Sequence, residues 1–474
     1  MNSNLKGQIF TVKEVISAVD GNILMGDSSI KIYGVSTDTR KINSGDLFIA
    51  LKGENFDGNS FLEEADRKGA SALVTSLDSP LSREFNGAVI QVRDCLKAYG
   101  DLARFYRLRF ELPVVCITGS NGKTSTKEML FSILNQKNKV LKTEGNLNNL
   151  IGLPMQLLNL KSEHEKAVFE IGMNRPGEIG RLSEIAVPHL GVITNIARAH
   201  LERLHTVASV RDAKGEMIDR ISEDGFMIFY GDDAHSTFYT EKSKNRGLQV
   251  LTFGSSKRNN IFFKDVVFPY KNGTKFNIFM NGEKKSVWTP QFGYHNVLNA
   301  VAAATAASCL GSSLEEIIEG LRKAESLPMR MTVKAIPNAK GSFLIDDSYN
   351  ANPDSMLSSF KTAMILKGQA KLFVVFGDMS ELGESEFELH SSLIRDLQRI
   401  SIDSQCVFIF VGIIMSAAVE EIKSYSNLED NVQSFEFFEE ALSWFYENFS
   451  NGDWVLVKGS RLSRMERFSE EILN

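Results

Sequence analysis

No cysteine pair, no apolar leader and no excess of positive charge mark this chain. Its four cysteines, Cys95, Cys116, Cys309 and Cys406, are scattered without a CxxC spacing. That argues against a disulfide framework or a cysteine zinc site and leaves reduced core thiols of a cytoplasmic protein. The opening stretch MNSNLKGQIFTVKE lacks the apolar core of a secretory signal. The most apolar helical run, VLNAVAAATAASCLG, is short and interrupted by Asn299, Thr305 and Ser308, so it reads as a core helix and not a membrane span. A net charge of −6 argues against a general nucleic-acid or anionic-membrane surface. Repeats and low-complexity tracts are absent too. What remains is a chain of 474 residues, 43% apolar and 24% charged. That is the composition of a folded, soluble protein with room for several domains.

The dominant pattern is an alternation of short apolar strands with helical stretches. In the first hundred residues TVKEVISAV predicts a helix, GDLFIAL a strand, and FLEEADRKGASALVTS a helix running into a strand. AVIQVRDCLKAYGDLARFYRL adds a strand and a connecting helix. From Pro113 onward the buried-strand runs VVCIT, AVFEIG, LGVITNI and GFMIFYG are separated by helical patterns, which predicts βα units and a mainly parallel sheet. The segment 261–290 breaks that rhythm, its KNGT and MNGE turns predicting appended β-hairpins. Helices are expected near 294–309 and 313–325. A last α/β region carries the strands SFLID, KLFVVFG, CVFIFVG and DWVLVKG. The expectation is an α/β protein of three domains, 1–108, 109–327 and 328–474.

The chemistry is concentrated in VVCITGSNGKTSTKEM, residues 114–129. A standard phosphate loop, G-x-x-x-x-G-K-[ST], would need glycine at position 117, where Ile117 stands. The spacing is G-x-x-G-K-T instead. An apolar strand, a glycine turn and a helical run still make the layout of a phosphate cradle. Small residues let backbone N–H groups approach phosphate oxygens, and the helix N-terminus faces them with partial positive charge. Gly119, Ser120, Asn121, Gly122, Lys123, Thr124 and Ser125 are therefore the nucleotide-binding candidates. Lys123 would reach the β- and γ-phosphates, and the Thr124 hydroxyl would ligate Mg²⁺.

The string TGSNGKTSTKEM resembles the ATP loop of the Mur ligases, which use this shortened spacing. EGNLNNLIGLP (144–154), FEIGMNRPGEI (169–179), TNIARAHLERLHTVASVRDAKGE (194–216) and GYHNVLNAVAAATAA (293–307) follow in that family's order. So do DDSYNANPDSM (346–356), FGDMSELG with His390, and VLVKGSR (455–461). YNANPDSM and GDMSELG are similar to the branch that joins D-alanyl-D-alanine to UDP-N-acetylmuramoyl-tripeptide (UDP-MurNAc-tripeptide). The resemblance implies the three-domain Mur ligase fold: a UDP-sugar domain, a P-loop ATPase domain and a Rossmann-like C-terminal domain. It also implies a cytoplasmic ATP-dependent ligase working through an acyl phosphate. A monomer is expected, with small-molecule substrates, no nucleic acid and no membrane span. The third residue of the tripeptide stays open between lysine and diaminopimelate.

By the same resemblance, Glu170 and His200 are metal ligands with Thr124. Lys214 corresponds to a lysine carbamylated by CO₂, which would turn a cation into a carboxylate-like ligand of a second Mg²⁺. On the residues alone, Glu170 could be a solvated strand-end acid, His200 a structural histidine, and Lys214 a helix lysine paired with Asp212 or Glu216. Asn296 and Asn299, one helical turn apart, offer amides suited to an adenine edge. Arg330, in LPMRMT where relatives commonly have a glycine-arginine pair, would reach ATP phosphates on domain closure. Asp347 would hold ribose hydroxyls, with Tyr349 and Asn350 beside it, although these and Asn352 could equally be turn formers. Asn148, Asn149, Asn352, Lys458, Ser460 and Arg461 are implied substrate contacts, the last three competing with a plain basic loop. In STDTRKINSGDLFIALKGENFDGNSF the resemblance points to UDP-sugar contacts at Thr37, Thr39, Arg40, Lys52, Asp57, Gly58 and Asn59. Asn59 stands where many relatives have histidine, and a surface turn is the alternative. A sibling ligase, a folylpolyglutamate synthetase and a P-loop regulatory ATPase are the competing functions.

Overall fold

The computed structural model describes residues 7–54, 56–78, 85–269, 272–401, 405–425 and 431–474. The chain forms two compact units, Met1–Val114 with Leu141–Ile171 and Arg181–Val187, and Val115–Val140 with Gly172–Gly180 and Pro188–Asn474.

In the first unit the expected opening helix is Val12–Val19. Thr11 caps it in a reciprocal box: its hydroxyl accepts from the Glu14 N–H while the Glu14 carboxylate accepts from the Thr11 N–H. A five-stranded sheet runs in the order Asn22–Met25, Ala88–Gln91, Ala72–Thr75, Asp46–Ile49, Gly34–Ser36, with only the first pair antiparallel. The helix Cys95–Arg107 starts at Asp94, whose carboxylate accepts from the N–H groups of Leu96 and Lys97. The buried Arg107 guanidinium at its end is satisfied by the carbonyls of Ala186, Phe110 and Leu112, as a buried charge must be.

The second unit holds a run of seven strands: Glu283–Thr289, Thr274–Met280, Ile261–Val267, Gln249–Gly254, Phe226–Tyr230, Leu190–Ile193 and Val114–Thr118. The five from Ile261–Val267 onward are parallel, and the two preceding them form the expected antiparallel addition. Asn281 and Gly282, φ 52° and 82°, close its hairpin as a mirror-image turn. The other expected turn begins at Lys271, which lies outside the described residues. The helix Tyr294–Cys309 packs on the phosphate-loop helix Lys123–Leu134.

The C-terminal sheet orders Thr332–Ala335, Phe343–Asp346, Trp454–Lys458, Leu372–Gly377, Cys406–Val411 and Val432–Phe435, parallel after the first pair. Its strands are apolar on both faces. Val374 and Phe376 enter a core with Phe360, Leu393 and Met415, while Phe373 and Val375 enter another with Phe445 and Phe468. Thr332–Ala335, Val432–Phe435 and Val140–Lys142 went unread because edge strands bury little, and Gln249–Gly254 because only its last two residues are buried. No helix among the described residues is long and apolar enough to cross a membrane. None of the four cysteines forms a disulfide, and Cys95, Cys116 and Cys406 are buried.

Candidate active site

The strand Val114–Thr118 is wholly buried and delivers the chain to Gly119, φ 147°, and Gly122, φ 82°, which caps the helix Lys123–Leu134. Both glycines are required by close approach as well as by φ. A Cβ on Gly119 would run into the Thr194 hydroxyl, and one on Gly122 into the Asn299 side-chain oxygen. The shortened loop is held by the turn after the neighbouring strand Leu190–Ile193. The Ser120 N–H donates to the Asn195 carbonyl at 3.0 Å, and the Asn121 N–H to Asn195 Oδ1 at 3.0 Å. Asn195 Nδ2 and the Thr194 hydroxyl return bonds to the Asn121 carbonyl, at 3.0 and 2.5 Å. Lys123 Nζ lies over the loop, 2.8 Å from the Gly119 carbonyl. Ser125 stands in the first helical turn. Replacing Gly122 by alanine is therefore expected to weaken ADP binding about tenfold or more. Calorimetric titration would check it, with Gly7→Ala, where φ is not positive and an added Cβ meets nothing, as the comparison.

Thr124 accepts a hydrogen bond from Arg330 Nη2 at 3.1 Å, and the same guanidinium lies 4.0 Å over the Tyr349 ring. Met329 and Met331 flank Arg330 in left-handed backbone, φ 57° and 58°. The chain adopts this backbone without glycine at either position. His200 also has positive φ, 59°, and its Nδ1 lies 2.6 Å from Glu381 Oε2. Burial pushes the His200 pKa down, and the hydrogen bond from His200 holds Glu381 below the usual carboxylate range. Lys214 is 1% exposed. Burial, then the nearby Lys123 charge, pushes its amine well below an ordinary lysine pKa. Among the described residues Lys214 forms no ion pair with Asp212 or Glu216: Glu216 instead accepts from the Gly177 and Gly180 N–H groups, and Asp212 pairs with Arg211.

Asn296 and Asn299 are buried and satisfy each other, Asn299 Nδ2 donating to Asn296 Oδ1 at 3.1 Å and Asn296 Nδ2 to the Phe292 carbonyl. The Asn299 side chain packs behind Gly122. In the C-terminal region Lys458 is 3% exposed and binds Asp347 Oδ2 at 2.7 Å and the Asn350 carbonyl at 2.8 Å. Asp347 Oδ2 also accepts from Ser359 Oγ at 2.5 Å. Lys458 is thus a buried partner of Asp347, not part of a solvated basic loop. Asn350 accepts from the Ala351 N–H, and Ser460 receives the Ser380 hydroxyl bond. Arg461 is exposed and pairs with Glu466 at 3.1 Å. Asn352 caps the helix Pro353–Leu366 and donates from Nδ2 to Asn121 Oδ1 at 2.8 Å. His390 Nε2 accepts from the Met379 N–H, holding the FGDMSELG turn.

The remaining candidates belong to the first unit. Glu170 is 3% exposed; Oε1 accepts from Asn148 Nδ2 at 2.8 Å, while Oε2 is buried with no hydrogen-bond partner among the described residues. A buried carboxylate oxygen left this way is suited to a cation. Asn149 turns inward to accept from the Ile151 and Gly152 N–H groups, a structural cap. Thr37 is half-buried; Thr39 is buried, its carbonyl bound by Lys68. The exposed Arg40 clasps Asp38 at 2.9 Å and pushes its carboxyl down to about 2. Lys52 lies 3.4 Å from Asp57, and Gly58 sits against the Leu51 backbone. Asn59 is held by Asp57 and Thr75. Among the described residues no three His, Cys, Asp or Glu side chains gather as a ready-made metal site. Thr194, Asn195, Arg198, Asp354 and Glu381 received no role from the sequence. Only the TNI string at a strand end pointed toward the first two.

Three family models match the chain: the Mur ligase family catalytic domain over residues 31–107, the Mur ligase middle domain over 117–307, and the Mur ligase glutamate ligase domain over 329–461. The UDP-N-acetylmuramoyl-tripeptide–D-alanyl-D-alanine ligase of Bacillus subtilis is 36% identical over 464 residues, 98% of each chain. MurF from Acinetobacter baumannii, solved as a crystal structure, matches with TM-score 0.87 at 32% identity, covering 98% of each chain. The crystal structure of the Thermotoga maritima MurF ligase in complex with ADP matches with TM-score 0.81 at 28% identity, covering 92% of this chain and 96% of its own.

Proposed function

This chain belongs to the Mur ligase family, and we propose from that membership how its residues join D-alanyl-D-alanine to UDP-MurNAc-tripeptide. It is an ATP-dependent ligase of peptidoglycan precursor synthesis. The full-length likeness to ligases of that name carries the reading, and the glycine loop with Lys123 supports it.

A carboxylate is a poor electrophile, so the γ-phosphoryl group of ATP passes to it first and makes an acyl phosphate. The dipeptide amine attacks that, and phosphate leaves. The protein must quench the repulsion of one anion approaching another. Lys123 and the N–H groups of Gly119–Ser125 hold the ATP phosphates, and Arg330 adds a cation beside Thr124. Thr124 and His200 would hold Mg²⁺ and Lys214, as its carbamate, a second Mg²⁺, with Glu170 a further candidate ligand; when bound, the metal neutralises phosphate charge. A buried, uncharged Lys214 amine is the form that reacts with CO₂. Asp347, set by Lys458, faces the ribose with Tyr349 and Asn350; Asn352, Ser460 and Arg461 flank the dipeptide. Thr37, Thr39, Arg40, Lys52, Asp57, Gly58, Asn59 and Asn148 serve the UDP-linked substrate. The domains of this reading are 1–108, 109–327 and 328–474, in a cytoplasmic monomer.

An acceptor panel tests it. With UDP-MurNAc-tripeptide and Mg·ATP, D-alanyl-D-alanine is expected to release phosphate at least about a hundredfold faster than L-lysine, meso-diaminopimelate or glutamate. Equal turnover without any acceptor would instead support a regulatory ATPase.

A further inference from the structure

The turn 194–202 is gripped from two sides. Toward the phosphate loop, Asn195 and Thr194 bind Asn121, and the Ala197 N–H donates to Ser120 Oγ at 3.0 Å. Toward the C-terminal region, Arg198 meets Asp354. Its backbone N–H donates to Oδ2 at 2.9 Å, Nη2 to Oδ1 at 2.7 Å, and Nε to the same carboxylate at 3.2 Å. Two residues on, His200 lies against Glu381, and the Glu202 N–H donates to the Glu381 carbonyl at 3.0 Å. Asp354 shares the first turn of helix Pro353–Leu366 with Asn352, whose amide reaches Asn121. One helical turn therefore holds both the phosphate loop and the turn bearing His200.

We propose that Arg198 and Asp354 are positioning residues of the ligation: their bidentate pair holds the 194–202 turn, and through it Asn121 and His200, in the geometry needed for phosphoryl transfer. An ordinary surface ion pair contributes little. This one differs in three ways. The Arg198 and Asp354 side chains are only 30% and 38% exposed; the carboxylate takes a backbone N–H as well as the guanidinium fork; and Asp354 sits in a first helical turn, where a negative charge is already favoured. Misplacing a reacting group by a fraction of an ångström lowers rate more than it lowers binding.

The inference rests on the ligase reading above, and the experiment separates the two. Arg198→Asp, Asp354→Arg and the exchanged double variant are made in the full chain. Ligation kinetics, ADP affinity and melting temperature are then measured. Each single variant is expected to lose about tenfold in kcat with ADP affinity within about twofold of the parent. The exchanged pair should recover to within about threefold of the parent kcat. Asp354→Asn, which keeps the acceptor for the Arg198 N–H, should lose less than Asp354→Arg. Single variants at parental kcat, or an exchanged pair no faster than either single, would overturn the proposal. A parent protein that fails to ligate would sink the ligase reading instead.

Discussion

Lys123→Ala is expected to lower peptide-bond formation by roughly a thousandfold or more, with only a modest loss of ADP affinity. Backbone N–H groups of the loop, the helix N-terminus and the Asn195 clamp all survive the change, so the cradle remains. What disappears is the one mobile cation placed over Gly119 and Ser120, 2.8 and 3.4 Å from their carbonyls. That charge is needed most when negative charge spreads over the transferring phosphoryl group, so kcat should fall much further than binding. Lys123→Arg should not rescue it, because a planar fork is not a compact ammonium. The assay is acceptor-dependent phosphate release, with calorimetry for ADP. An alanine variant ligating at the parental rate would refute the role.

Lys214→Met is expected to separate activity from stability. Ligation should fall by roughly a thousandfold or more, because the proposed carbamate, and with it the proposed metal ligand, cannot form. Thermal stability, measured in carbonate-free buffer, should rise. Burying an amine without an ion pair is costly, and an apolar side chain of similar length removes that cost, a gain of about 2 kcal/mol. The sign of the pH dependence follows. The Lys214 pKa is lowered in the folded protein by burial and by Lys123, so the native state binds fewer protons than the unfolded chain. The penalty is present at neutral pH and fades as pH rises toward the unfolded value of about 10.4. The melting-temperature advantage of the variant should narrow over the same range. A variant that is less stable at pH 7, or that still ligates, would contradict this account.

The phosphate loop was legible because all of its parts are local: a buried strand, two glycines and a helix start within sixteen residues. The helix Tyr294–Cys309 and the hairpin closed by Asn281 and Gly282 were legible for the same reason. Asn296 and Asn299 were seen as a pair, but not what surrounds them. Two amides on a buried helix face satisfy each other first, and their neighbour proved to be Gly122. Lys458 and Asp347 were each noticed, but their ion pair joins the ends of adjacent parallel strands 111 positions apart in the chain.

By itself the sequence determined the βα rhythm, the family, and the glycine loop proposed to take ATP, since these depend on periodicity and on short contiguous patterns. Only the tertiary structure decided how a loop two residues short is kept rigid, and which residues hold His200 and Arg330 in place. Those answers rest on hydrogen bonds such as Asn121 to Asn195 and Arg198 to Asp354, whose partners lie 74 and 156 positions apart. Sheet order brings them together, and nothing in the local spacing of either partner announces the other.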